Sequence, residues 1–172
     1  MSDLVVTVFG VDRTGIVAAL TGALADLGGN LEDSSMTILR GHLAMTLLVG
    51  VDADAAVVSA TLAPVAARLG VDVSVAPVVR GASPTIEGGH WLLSVHGADR
   101  PGIVAAVTGL LAAAGGNITD LSTRLAGELY ALICEVDLPA EADADALARD
   151  VTALGQRLGV HATLHRADAD VF

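Results

Sequence analysis

The chain has 172 residues, 53% hydrophobic and 17% charged, with a mean hydropathy of +0.64, which rules out a disordered chain. Its formal net charge is −11 and all nine basic residues are arginine, which excludes a phosphate-neutralising nucleic-acid surface, lysine Schiff-base chemistry and a Walker-type phosphate loop. Aromatic residues make up only 2%, so the core falls to Val, Leu, Ile and Ala, and the single cysteine, Cys134, leaves no internal disulfide and fits a cytoplasmic protein.

Met1-Ser2-Asp3 is acidic and lacks the basic region of a secretory leader, and no apolar run is long enough to span a bilayer. Leu4–Phe9 is β-branched and apolar, as for a buried strand, and Gly10–Thr14 reads as a turn. A helix follows, with Ile16, Leu20, Leu24 and Leu27 on one stripe and Gly28-Gly29 as its stop. Ser35–Leu39 and Leu43–Val51 flank Arg40-Gly41-His42, a hairpin signal. Asp52 and Asp54 start a second helix, where acidic side chains suit the positive end of the dipole. Its stripe is Val58, Leu62, Val65 and Leu69, and Gly70 closes it. Val71–Val79 is a last strand, with Pro77 where an edge tolerates it.

The order β-α-β-β-α-β then recurs. Shifted by 87 residues, Val8–Ser35 overlays Val95–Ser122 with 18 of 28 positions identical. Beyond this the overlay reads best at an offset of 86, which sets Leu43–Val51 against Leu129–Asp137. The second copy has strands at Trp91–His96, Leu121–Leu125, Leu129–Asp137 and Val160–Arg166. Its helices are Pro101–Ala114 and one striped by Leu147, Val151, Leu154 and Leu158, with Glu141, Asp143 and Asp145 as its acidic start. The expected domains are 1–80 and 90–172, joined by a Gly, Pro and Ser-rich linker at 81–89. The fold class is α+β: two ferredoxin-like units, each a four-stranded antiparallel sheet with two helices on one face. The bare second faces lead us to expect pairing of the copies.

Asp12-Arg13-Thr14-Gly15-Ile16-Val17 and Asp99-Arg100-Pro101-Gly102-Ile103-Val104 sit at the two strand-to-helix turns. Each is followed, after the helix, by Gly-Gly-Asn, at Gly28–Asn30 and Gly115–Asn117, and then by Leu31 or Ile118. This pattern within βαββαβ closely resembles the ACT domain, twice over nearly the whole chain. It looks most like the stand-alone tandem type related to the glycine-cleavage-system regulator, and is also similar to the N-terminal domain of formyltetrahydrofolate deformylase. The resemblance implies a regulatory protein, not an enzyme, that binds a small amino acid where two domains meet and acts on a partner protein as a homo-oligomer. The alternative is a ligand-free interaction module whose bare sheet faces make a dimer or dock on an enzyme as a regulatory subunit.

Elementary chemistry agrees with a small anion at these turns. A helix N-terminus leaves N–H groups unpaired and carries partial positive charge. Gly15 and Gly102 leave the backbone open, and Pro101 suits a first helical turn. The resemblance implies that backbone N–H groups around Gly15–Val17 and Gly102–Val104 hold a carboxylate, and that Asn30 and Asn117 reach the ligand across a domain interface.

Plainer readings stand beside these. Asp12 and Asp99 fit as helix caps, Arg13 and Arg100 as solvated or paired cations, and the asparagines as left-handed residues. His161 and His165 share one strand face, and a metal site there would need a third ligand such as Asp168. Cys134 reads as an inert buried residue, and Trp91 as core at a strand start. No catalytic nucleophile set, cofactor motif or metal motif is present in the sequence.

Overall fold

The computed structural model of the chain describes residues 2–78, 88–127 and 129–167. Two separate apolar cores divide the chain into units Met1–Gly81 and Ala82–Phe172. The first unit runs β1 (Ser2–Val11), α1 (Ile16–Asp26), β2 (Asn30–Leu39), β3 (His42–Val51), α2 (Ala55–Leu69) and β4 (Val71–Pro77). The second runs β5 (Gly88–Ala98), α3 (Ile103–Ala113), β6 (Asn117–Ala126), β7 (Leu129–Pro139), α4 (Ala144–Leu158) and β8 (Val160–Arg166). The sheets have strand orders β2-β3-β1-β4 and β6-β7-β5-β8, with every neighbouring pair antiparallel. This is the expected pair of βαββαβ units.

Alternation along the central strands decides which face is covered. Leu4, Val6 and Val8 on β1 and Leu43, Met45, Leu47, Val49 and Val51 on β3 are buried under Ile16, Leu20, Leu24, Val58 and Leu62 of the helices. Leu93 and Val95 on β5 and the even-numbered residues of β7 meet Ile103, Val107, Leu111, Leu147 and Val151 in the same way. The intervening residues point to the open face, where Phe9 and Ile133 are exposed. In the second helix of each unit the last stripe positions, Val65, Leu69 and Leu158, are only partly buried.

Several boundaries differ from the sequence reading, each for a physical reason. Gly88 and Gly89 belong to β5, paired with Pro139 and Leu138, and not to the linker. A Cβ on Gly88 would run into the Leu138 carbonyl, so glycine serves close approach here, not flexibility. Positions 81–87 of that linker, and Val79, lie outside the described residues. The offset stays at 87 through the third strand: Gly10 faces Leu43 and Gly97 faces Tyr130, so Leu43 corresponds to Tyr130 and not to Leu129. The first hairpin turns on Arg40 and Gly41 alone, both at positive φ (49° and 81°) as a two-residue primed turn requires, and His42 is already strand.

Candidate functional site

The helix-start turns have a geometry the sequence reading anticipated only in part. Gly15 and Gly102 occupy the N-cap positions of α1 and α3 with φ of 93° and 92°, and no side chain caps either helix. Asp12 and Asp99 are therefore not caps. Each lies three residues before the capping position, and the main-chain N–H of Asp12 instead donates to the Gly41 carbonyl at 2.8 Å. Pro101 is likewise outside the helix, because the left-handed glycine after it delays the first turn to Ile103. A Cβ on Gly15 or Gly102 would meet nothing within 4 Å, so space above both glycines is open. The opening N–H groups of each helix thus lack side-chain partners beside free space, the arrangement that receives an anion.

The side chains around the turns divide by role. Ile16 and Ile103 are buried core residues, so only their backbone faces the turn, whereas Val17 and Val104 are exposed. Asp12, Arg13, Thr14, Asp99, Arg100 and Pro101 are all exposed. Arg100 lies against Gly159, the left-handed C-cap of α4, where a Cβ would come within 3.3 Å of its guanidinium. A cation suits that negative helix end. Arg13 has no such seat, since Gly70 at the end of α2 has open space around it.

The Gly-Gly-Asn segments resolve into three separate jobs. Gly28 and Gly115, both at φ 74°, accept the left-handed turn that ends α1 and α3. Gly28 N–H bonds to Ala25 and Gly29 N–H to Leu24, and Gly115 and Gly116 repeat this on Ala112 and Leu111, the Schellman pattern. Gly29 and Gly116 leave no room for a Cβ against the Leu24 and Leu111 carbonyls, at 2.8 and 3.1 Å. Asn30 and Asn117 are not left-handed residues. They open β2 and β6, exposed, in register with Gly50 and Asp137. Leu31 beside Asn30 is exposed, while Ile118 packs against the second core.

This register separates the two halves of each motif. Asn30 pairs with Gly50, which pairs with Asp3 near the start of β1, whereas the turn follows Val11 at its other end. Eight strand residues place them about 25 Å apart along the sheet. The same holds for Asn117, Asp137 and His90 against the Asp99 turn. A turn and the asparagine of its own unit therefore cannot touch one small molecule.

The fold also assembles groups that sequence spacing did not reveal. His90 Nδ1 lies 2.7 Å from Asp137 Oδ1 and its Nε2 lies 3.5 Å from Glu135 Oε2, in the row that holds Asn117. The hydrogen bond that His90 donates to the Asp137 carboxylate is the main cause that raises the His90 pKa. On the first open face Ser35, Thr46, Thr7 and Ser74 line up across all four strands, in a depression of about 470 Å³ away from the turn. Tyr130 is nine-tenths buried, and its hydroxyl has no hydrogen-bond partner among the described residues. Cross-strand register assembles the first two and burial marks the third, and residue spacing along the chain states neither.

The histidine reading changes. His161 and His165 do share a face of β8, but four strand residues hold them about 13 Å apart, too far for one ion. His161 instead meets His96 across the strand pair, with ring centroids 4.7 Å apart. Asp168 lies outside the described residues, and no group of three ligating side chains occurs among those described. Cys134 is fully buried, and burial pushes its thiol pKa up, as expected of an inert residue. Trp91 is partly buried against the second core within β5, not at its start. Among the described residues, no helix is long and apolar enough to cross a membrane.

Comparison with known proteins adds independent support. The sequence profile of the ACT domain matches residues 2–76 and 90–165. A UPF0237 protein of Methanopyrus kandleri is 45% identical over 78 residues, covering 44% of this chain and 87% of that protein. A protein of unknown function from Galdieria sulphuraria has a solved structure similar to the whole chain, with TM-score 0.81, 31% identity and coverage of 97% and 99%. A structure provisionally assigned as a glycine cleavage system transcriptional repressor shares the tandem fold, with TM-score 0.73, 18% identity and coverage of 97% and 98%.

Proposed function

The chain belongs to the ACT-domain family, and from that premise we propose that it is an amino-acid-binding regulatory protein. One observation carries the reading: two uncapped helix N-termini, each opened by a left-handed glycine under free space. Such a turn offers backbone donors and partial positive charge to the carboxylate of a small amino acid. The distance from each turn to the asparagine of its own unit then calls for two units at one ligand. The turn of one unit holds the carboxylate, and Asn30 or Asn117 of another meets the ligand's polar groups.

A ligand held this way links the arrangement of two units to occupancy. It shifts that arrangement only as far as it prefers one state over the other. The output is a changed grip on a partner protein. With a net charge of −11, the protein acts on nucleic acid, if at all, through that partner. Control of glycine or one-carbon metabolism is the first pathway to try, by analogy of fold with the repressor-type structure alone.

The test is a thermal-shift screen against the twenty amino acids. A ligand at a hundred times its Kd stabilises by about 2.7 kcal/mol, a rise on the order of several degrees. Loss of that rise in Asn30→Ala or Asn117→Ala locates the site. No rise with any amino acid overturns the reading. The exposed Phe9 and Ile133 on the open sheet faces favour a second role in homo-oligomer contact, which sedimentation analysis checks.

A further inference from the structure

We propose that Tyr130 is a ligand-contact residue of the second unit, donating its buried hydroxyl to an amino acid seated at the N-terminus of α3. This rests on the amino-acid-binding reading above and makes the two units inequivalent. Tyr130 stands on the helix-side face of β7, directly opposite Gly97, two residues before Asp99. The residue is only 9% exposed, and its hydroxyl oxygen finds no partner among the described residues. Buried polar groups are almost always paired, so an orphan hydroxyl marks a missing acceptor.

Two observations place that acceptor at the Asp99–Val104 turn. Tyr130 faces Gly97, two residues from Asp99 along the strand, and that carboxylate, after burial, raises the phenol pKa. The same turn carries the uncapped N–H groups of α3 and the open space above Gly102. Two kinds of donor thus belong to this end of the unit, the backbone N–H groups that open α3 and the phenol set opposite the strand end that leads into the turn. A carboxylate oxygen admitted by a small outward movement of the turn would satisfy both. Asp99 then balances the ligand's ammonium group, so the site suits a zwitterion over a simple anion. The first unit cannot do this, because its corresponding residue is the buried Leu43, opposite Gly10. Its turn has no phenol behind it, and the second unit is the tighter site.

Tyr130→Phe tests this with two readouts, because it removes one oxygen and keeps the packing. A hydroxyl with no partner in the free protein contributes nothing that its loss would remove. The ligand-free melting temperature of Tyr130→Phe is expected to equal or exceed that of the wild type. Titration calorimetry with the amino acid that stabilises the wild type is expected to show the tighter site weakened about tenfold, the loss of one hydrogen bond. A lower melting temperature in the free variant would mean the hydroxyl has a structural partner, and overturns the proposal. Unchanged affinity, with binding still lost in Asn30→Ala or Asn117→Ala, overturns it while sparing the amino-acid-binding reading. Absence of any amino-acid binding by the wild type overturns both.

Discussion

At the residue scale, aspartates at similar positions before helices do different work. Asp54 and Asp143 cap α2 and α4, accepting from Val57 N–H at 2.9 Å and Ala146 N–H at 2.8 Å. Asp12 and Asp99 cap nothing, because a glycine holds the capping position. Urea denaturation is expected to show Asp143→Ala less stable by about 1 kcal/mol. Asp99→Ala is expected to stay within about 0.5 kcal/mol of the wild type. Equal losses would mean that Asp99 supports the turn after all. His90 provides a pH test. Its pKa is raised, chiefly by the Asp137 hydrogen bond, so the folded state holds the proton more tightly than the unfolded chain. That contribution is complete below about pH 6.5 and fades as the pH rises through the raised folded value. His90→Gln should therefore be less stable than wild type at about pH 5.5, with the gap closing by about pH 9. A gap independent of pH would show that the ion pair is not its source. The histidine is largely exposed, so solvent screening keeps the effect small.

At the scale of elements, glycines set how closely strands and helices approach. Gly10 and Gly97 stand where a Cβ would come within 3.1 Å of three atoms each of Val71 and Val160. The close approach holds the edge strand against its neighbour in both units. Gly10→Ala must push β4 outward, and a loss of about 1–3 kcal/mol is expected from chemical denaturation. A neutral outcome would show that the strand can shift freely. The overlay of Val8–Ser35 on Val95–Ser122 contains both glycines, but residue order reads Gly10 as the start of a turn. Composition cannot distinguish a glycine that bends the chain from one that lets another backbone come close.

At the scale of the whole molecule, each unit has its own core, and among the described residues no buried residue belongs to both. Residues 1–81 and 82–172, expressed separately, are expected to give cooperative thermal unfolding by circular dichroism. A half that stays unfolded alone would show that its stability depends on its neighbour. The two copies are not interchangeable, since Leu43 stands where the second unit has Tyr130, and Gly70 lacks the arginine that lies against Gly159.

The two-unit βαββαβ fold, the helix stripes, the paired turns and the family were readable from residue order alone. They rest on local periodicity and on a repeat, and both are written along the chain. The separation of each turn from its own asparagine, the orphan Tyr130 hydroxyl and the His90–Asp137 pair were not readable. They depend on strand register, where a shift of one residue sends every side chain to the opposite face. An offset misjudged by one, 86 for 87, was enough to set Leu43 against Leu129 and hide the tyrosine beneath the second turn.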